Sequence, residues 1–163
     1  MKKILGVNSR VDHVAIAVKD MDAAVSMYRD VFGFDVIAQR EIHGTSTGMR
    51  STELNGGGFS IVLIQGTDPE SQVSRYIDQY GPGVQHLAVE VDNVEQLSDR
   101  LRASGVKFAT DLIRGDGLTQ IFTKRDPNSG MMFEFIERNN QPGQFEQANI
   151  QKLFDQLEAN EAY

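Results

Sequence analysis

One pattern occurs twice in this chain, 73 residues apart. Residues 11–18 read VDHVAIAV, and residues 84–91 read VQHLAVEV. Val11 aligns with Val84, His13 with His86, Ala15 with Ala88 and Val18 with Val91, and Gly33 meets Gly105 after a one-residue slip. A supersecondary unit that repeats cannot bury both its faces alone, so its copies must pack side by side and share an interior. That requirement constrains the fold more than any other feature of the sequence.

Each copy opens on an alternating strand, the period of a half-buried sheet. A helix is expected next, from Ala24, Tyr28, Val31 and Phe32 in the first copy and Val94, Leu97 and Leu101 in the second. Asp20 and Asp92 are the expected N-caps, and Gly33 and Gly105 the expected stops. Three strand-like segments follow: 34–42, 47–54 and 59–65 in the first copy, and 106–113, 119–125 and 131–138 in the second. The pattern predicts an α+β protein of two βαβββ modules, module one over 9–66 and module two over 84–138. A linker, 67–83, carries a short helix ended by Gly81, Pro82 and Gly83. A tail, 139–163, carries an amphipathic helix with Leu153, Phe154 and Leu157 on one side. The whole of 1–163 is expected to be one domain.

A chain of 163 residues can bury such a shared core. Its net charge of −7, without a basic stripe, argues against a nucleic-acid partner. It has no run of 18 apolar residues, so no membrane span is expected. The start, MKKILGVNSR, is too briefly apolar for a secretory signal, and a cytoplasmic location is the expectation. Cysteine is absent, which removes thiolates from any metal site.

On the first strand His13 shares a face with Ala15 and Ala17; on its repeat His86 shares a face with Ala88. Small neighbours suit a cavity, while Val14, Ile16 and Val18, like Leu87, Val89 and Val91, suit the helix side. A lone strand histidine is more often a hydrogen-bonded core residue than a ligand. Two of the chain's three histidines at equivalent positions favour a shared role. Glu134, between Phe133 and Phe135, is costly in a buried strand unless paired or metal-bound, although an edge strand facing water would also explain it. Two imidazoles and a carboxylate form the facial set that leaves positions open on Fe(II). His43 has no partner by this logic and reads as a surface or loop residue.

These residues resemble the vicinal oxygen chelate superfamily, whose paired βαβββ modules form a cupped, barrel-like mixed sheet around a divalent metal. The segments SQVSRYIDQYGPGVQHLA, TQIFTK, MFEFIER and GQFEQANIQKLF resemble the C-terminal catalytic domain of the 4-hydroxyphenylpyruvate dioxygenases. That resemblance implies a non-haem Fe(II) dioxygenase taking a 2-oxo acid and dioxygen, with oxidative decarboxylation and hydroxylation. It implies His13, His86 and Glu134 as metal ligands, Gln72 and Gln120 as catalytic residues, and a gating role for the tail helix. It implies a substrate pocket of Ser51, Gln72, Gln120, Phe122 and Phe145. The bland readings are core packing for Phe122 and Phe145 and a solvated helix face for Gln72. Gln65 stands where the family carries Asn, and Ile150 lies near an expected Phe; both are taken as pocket positions. Those enzymes carry a further N-terminal domain of the same kind, so a homodimer is expected in its place. The rival is a metal-dependent epimerase, isomerase or lyase of the glyoxalase and methylmalonyl-CoA epimerase type, using Co, Mn or Zn. It wants a fourth ligand on the last strand of module one, where Val62 stands, and an acid near 45–48, which has none. A metal-free drug-sequestering protein is the third reading, and the intact ligand set argues against it.

Overall fold

A computed structural model describes residues 4–139 and 147–160. In chain order the elements are β1 (Arg10–Ala17), α1 (Met21–Ser26), β2 (Asp35–His43), β3 (Gly48–Asn55), β4 (Ser60–Gly66) and α2 (Gln72–Tyr80). Then come β5 (Gly83–Glu90), α3 (Val94–Ala103), β6 (Ile113–Gly115), β7 (Leu118–Phe122), β8 (Met132–Arg138) and α4 (Gln147–Ala159). The eight strands form one curled mixed sheet in the order β2-β3-β4-β1-β5-β8-β7-β6. Exchanging β1–β4 with β5–β8 reverses that order, so a pseudo-twofold axis runs through the antiparallel β1/β5 seam. Each of those two strands pairs in parallel on its outer side, β1 with β4 and β5 with β8.

Alternation along the strands sorts the side chains. On the convex side Ile16 and Val18 pack with Leu54, Leu63 and the Met21 and Val25 of α1. Val89 and Val91 pack with Ile121, Phe135 and the Val94 and Leu97 of α3. On the concave side Ala15, Ala17 and Ala88 are buried but short, which leaves room above the seam. Helix α4 closes that side across both halves. Phe154 joins Ile42, Met49 and Ile64, and Leu157 joins Ala109, Phe122 and Met132. No helix among the described residues is long and apolar enough to cross a membrane.

Three local expectations are corrected. Asp20 caps α1, accepting from the Ala23 N–H at 2.9 Å, but the α3 cap is Asn93, which accepts from the Gln96 N–H at 2.7 Å. Asn93 is the residue that the 73-residue offset places on Asp20, whereas Asp92 accepts from Asn8 at 3.3 Å. Ala24 and Tyr28 face inward, but Val31 and Phe32 are 68% and 61% exposed. After Ser26 the helix widens into a π turn over Met27–Val31, and the extra residue per turn rotates them outward. Finally, 106–112 is not a strand; only a bridge at Phe108–Thr123 precedes β6. Beyond the Ala109 N–H, which donates to the Phe122 carbonyl at 2.8 Å, side chains take the ladder's bonds. The Phe122 N–H donates to Thr110 Oγ1, and the Asp111 N–H donates to Gln156 Oε1 of α4, each at 3.0 Å.

Candidate metal centre

The seam register builds the centre. His13 lies opposite Ala88, and Ala15 opposite His86; Ala88 in turn lies opposite Glu134 on β8. The two imidazoles and the carboxylate therefore project from three adjacent strands over short alanines. The His13 and His86 Nε2 atoms are 3.3 Å apart, and Glu134 Oε2 lies 3.2 Å from the first and 3.6 Å from the second. His13 and Glu134 are almost fully buried. Metal–donor bonds of ~2.0–2.2 Å put neighbouring donors about 3 Å apart, so the trio has the spacing of ligands on one face of an ion. Glu134 Oε1 is buried without a hydrogen-bond partner, as a carboxylate meant for a cation would be. These residues fit a divalent metal.

The electrostatics point the same way. Burial alone would lower the pKa of His13, but the carboxylates of Glu134 and Asp12 outweigh it and push it up to about 9. His86 is held well below its ordinary value, first by burial, then by the positive charges of His13 and Arg125. The cluster thus favours one positive charge among its donors and keeps the second ring neutral.

Two β-bulges aim the rings. Val11 pairs with Val89 and His13 with Ala88, so Asp12 is an extra residue on β1. Ala15 pairs with His86 and Ile16 with Val84, so Gln85 is an extra residue on β5. A bulge turns a side chain away from strict alternation. Asp12 Oδ1 accepts from His13 Nδ1 at 2.8 Å, and Gln85 Oε1 accepts from His86 Nδ1 at 2.6 Å. With Nδ1 donating outward, each ring presents Nε2 to the centre. Each orienter is itself fixed. Arg138 donates to both oxygens of Asp12, at 2.7 and 2.9 Å, and Gln85 Nε2 donates to Gln72 Oε1 at 3.0 Å. Burial would raise the Asp12 pKa, yet Arg138 and His13 hold it well below the usual carboxylate range.

A cavity opens on the three donors. Met49, Val62, Ile64, Ile150 and Leu153 give it apolar walls, and Arg40, Ser51 and Gln120 bring polar groups into it. Val62 pairs with Ala15 as Glu134 pairs with Ala88, so the pseudo-twofold axis places an apolar residue where a fourth ligand would come from.

Of the sequence-identified residues, Ser51, Gln120 and Ile150 line this cavity beside the donors. The Phe122 ring stands edge-on to His86, with centroids 5.2 Å apart. Gln72 is buried behind the centre on Gln85 and does not line the cavity. Gln65 faces the convex side with Ile61 and Leu63. Its Oε1 accepts from the Met21 N–H and its Nε2 donates to the Lys19 carbonyl, at 2.9 and 3.1 Å. Glu137 holds the Val94 N–H in the same way in the second half, so the pocket position expected for Gln65 is taken up by a helix start. His43 is exposed. Phe145 lies outside the described residues. Sequence reasoning missed Asp12, Gln85, Arg138, Arg40 and Glu53; the first two immediately precede the paired histidines, a signal the repeat contained.

The family model described as the glyoxalase/bleomycin resistance protein/dioxygenase superfamily matches residues 10–135. A 4-hydroxyphenylpyruvate dioxygenase from Legionella pneumophila is 27% identical over 188 residues, covering 93% of this chain and 54% of the relative. The chain thus spans about half the length of such relatives. A variant of 4-hydroxymandelate synthase from Streptomyces coelicolor superposes with a TM-score of 0.84 at 26% identity, over 94% of this chain and 55% of that one. Methylmalonyl-CoA epimerase from Mycobacterium tuberculosis superposes with a TM-score of 0.67 at 29% identity, over 79% of this chain and 87% of that one.

Proposed function

Since the chain belongs to the glyoxalase/bleomycin resistance protein/dioxygenase superfamily, we propose that it is a non-haem Fe(II) dioxygenase acting on a 2-oxo acid. The observation that carries this reading is the three-donor set with Val62 at the symmetric fourth place. Three protein donors would leave a bound ion accessible to a 2-oxo acid and dioxygen. Ferrous iron supplies the electron transfer that oxidative decarboxylation of the 2-oxo acid requires. The chain's residues do the rest. His13, His86 and Glu134 hold the ion, and Asp12 and Gln85 keep the two Nε2 atoms on it. Gln72 acts through Gln85. Ser51 and Gln120 orient the substrate, and Phe122, Ile150 and Leu153 keep water from it. Phe145 is assigned an aromatic wall by resemblance alone. The paired modules and α4 act as one catalytic domain, in the cytoplasm and as a homodimer joined through exposed sheet edges.

The test is an oxygen-electrode assay of protein loaded with ferrous iron under argon. Oxygen uptake matched by CO2 release is expected with at least one member of a panel of aryl and alkyl 2-oxo acids. Silence across the panel removes the reading. The likeness to epimerases keeps a second reading, a metal-dependent epimerase or lyase using Co, Mn or Zn. The buried acid available to it as a base is Glu53, whose carboxylate is committed to Arg40 at 3.1 Å. That reading requires anaerobic exchange of a substrate C–H with deuterated water.

A further inference from the structure

The β5 bulge that aims His86 is itself held from behind. Gln85 has no partner in the β1/β5 register, and the β5/β8 register begins only at His86. The Val84 and Gln85 carbonyls thus lie where the ladders thin out, and backbone acceptors withdrawn from water need partners. Both find one outside the sheet. Tyr76 of α2, one helical turn after Gln72, donates its hydroxyl to the Val84 carbonyl at 2.8 Å. Arg125, between β7 and β8, shares its Nη1 between the Gln85 carbonyl at 3.4 Å and the Gly130 carbonyl at 2.6 Å. Its guanidinium lies over the Tyr76 and Tyr80 rings, 4.5 and 5.0 Å from their centroids.

Arg125 Nε and Nη2 are buried without a hydrogen-bond partner. A cation partly withdrawn from water with N–H groups unmatched is costly, and stacking on two rings offsets only part of that. An apolar side chain of the same length would avoid it. What the guanidinium adds is connection. It joins α2, the bulge and the turn closed by the Gly130 N–H on the Asp126 carbonyl at 2.8 Å, and that turn leads into β8, the strand of Glu134. The first module has a parallel, for Arg138 fixes the bulge residue Asp12 through its carboxylate. In the second module Gln72 takes the bulge side chain, and the arginine reaches the bulge through its backbone. We propose that Arg125 and Tyr76 are positioning residues of the metal centre. They clamp the Gln85 bulge to the linker helix and to the turn before β8, and so fix the direction in which His86 presents Nε2. This rests on the three-donor metal reading above and extends it to side chains that do not line the cavity.

The experiment titrates Co(II) into the full chain, reading affinity by competition with a chromogenic chelator and ligand geometry by the visible d–d bands. Arg125→Met keeps the reach of the side chain and removes the guanidinium. It is expected to weaken Co(II) binding about tenfold and to shift the bands of the saturated protein. Tyr76→Phe keeps the ring and loses only the bond to Val84; about fivefold weaker binding is expected. Arg102→Met is the control. It removes a guanidinium stacked 4.8 Å from the Phe108 ring beside α3, away from the centre, and should leave affinity and bands as in the wild type. A clamp that served stability alone would lower Tm in Arg125→Met and leave the saturated spectrum unmoved. The proposal is overturned if a folded Arg125→Met keeps the wild-type affinity or the wild-type bands, or if Tyr76→Phe keeps the wild-type affinity. It is also overturned if Arg102→Met weakens binding as much as Tyr76→Phe does. Where Arg125→Met does not fold, the comparison of Tyr76→Phe with the wild type and the control decides. A wild-type chain that binds no Co(II) instead removes the metal reading itself.

Discussion

At Asp12 and Gln85 the seam ladder gives up two pairings and gains two aimed imidazoles. The two residues differ in chemistry, but each stands one residue before its histidine and offers an acceptor oxygen to that ring's Nδ1, at 2.8 and 2.6 Å. Their removal should have different consequences. Gln85→Leu takes the acceptor from His86 Nδ1 and should weaken divalent-metal binding by about 10–100-fold, measured by competition with a chromogenic chelator. Wild-type affinity in that variant would sink the orienting role. Asp12→Ala does more, because it also takes two charge-assisted hydrogen bonds from Arg138, whose side chain is 10% exposed. Breaking this buried pair should cost about 3 kcal/mol in denaturant unfolding. Asp12→Asn, which keeps an acceptor, should lose less.

Helix α4 is the element that joins the halves over the cavity, and two glycines let it approach. A Cβ on Gly44, just after β2, would come within 2.6 Å of the Phe154 ring; one on Gly115, at the end of β6, would come within 1.7 Å of Asn149 Oδ1. β2 and β6 are equivalents under the pseudo-twofold axis, so α4 rests on matching points of both modules. Phe154 is fully buried against the first module and α2. Phe154→Ala should cost ~3–5 kcal/mol of stability or release α4 alone. Amide exchange separates the two, because release speeds exchange in Gln147–Ala159 and leaves β1 and β5 protected. Unchanged exchange and stability would show that α4 is not held by this ring. The sequence made the helix visible through Leu153, Phe154 and Leu157. The repeat likewise made the strand order and the meeting of His13 with His86 legible, since equivalent residues on paired modules fall beside a common axis. What alternation hides is irregularity. Asp12 and Gln85 belong to the helix side by strict period, and only a bulge, which no residue type announces, turns them to the rings. The π turn that exposes Val31 and Phe32 is equally silent, and Thr110 competes for a ladder bond only once the fold has brought Phe122 to it. Arg40 and Glu53 meet only through the β2/β3 register, which Ile37 shifts by one as a further bulge.

Across the whole molecule, the three donors tie the modules together at the β1/β5 seam. β1 belongs to the first module, and β5 and β8 to the second. An ion bound there is held by both, and no donor pair within one module completes the set. Local unfolding of either half must therefore release it. Binding to the folded chain alone stabilises it by RT ln(1 + [L]/Kd), ~4 kcal/mol at a thousandfold excess over Kd. For a domain of this size about 1 kcal/mol moves Tm by roughly 2–4 °C, so saturation with a divalent ion should raise Tm by about 8–16 °C. The sign is fixed: the unfolded chain has no assembled site, so the ion can only favour folding. Glu134→Gln removes the sole carboxylate of the set and should abolish most of that shift. Glu134 also pairs with the charged His13 ring in the ion-free protein, so the ion-free variant should melt lower than the ion-free wild type. Scanning calorimetry of both proteins, with and without a chelator, reads the two effects independently. If both melt alike with the ion present, the seam is held by packing alone and the three side chains do not share a cation.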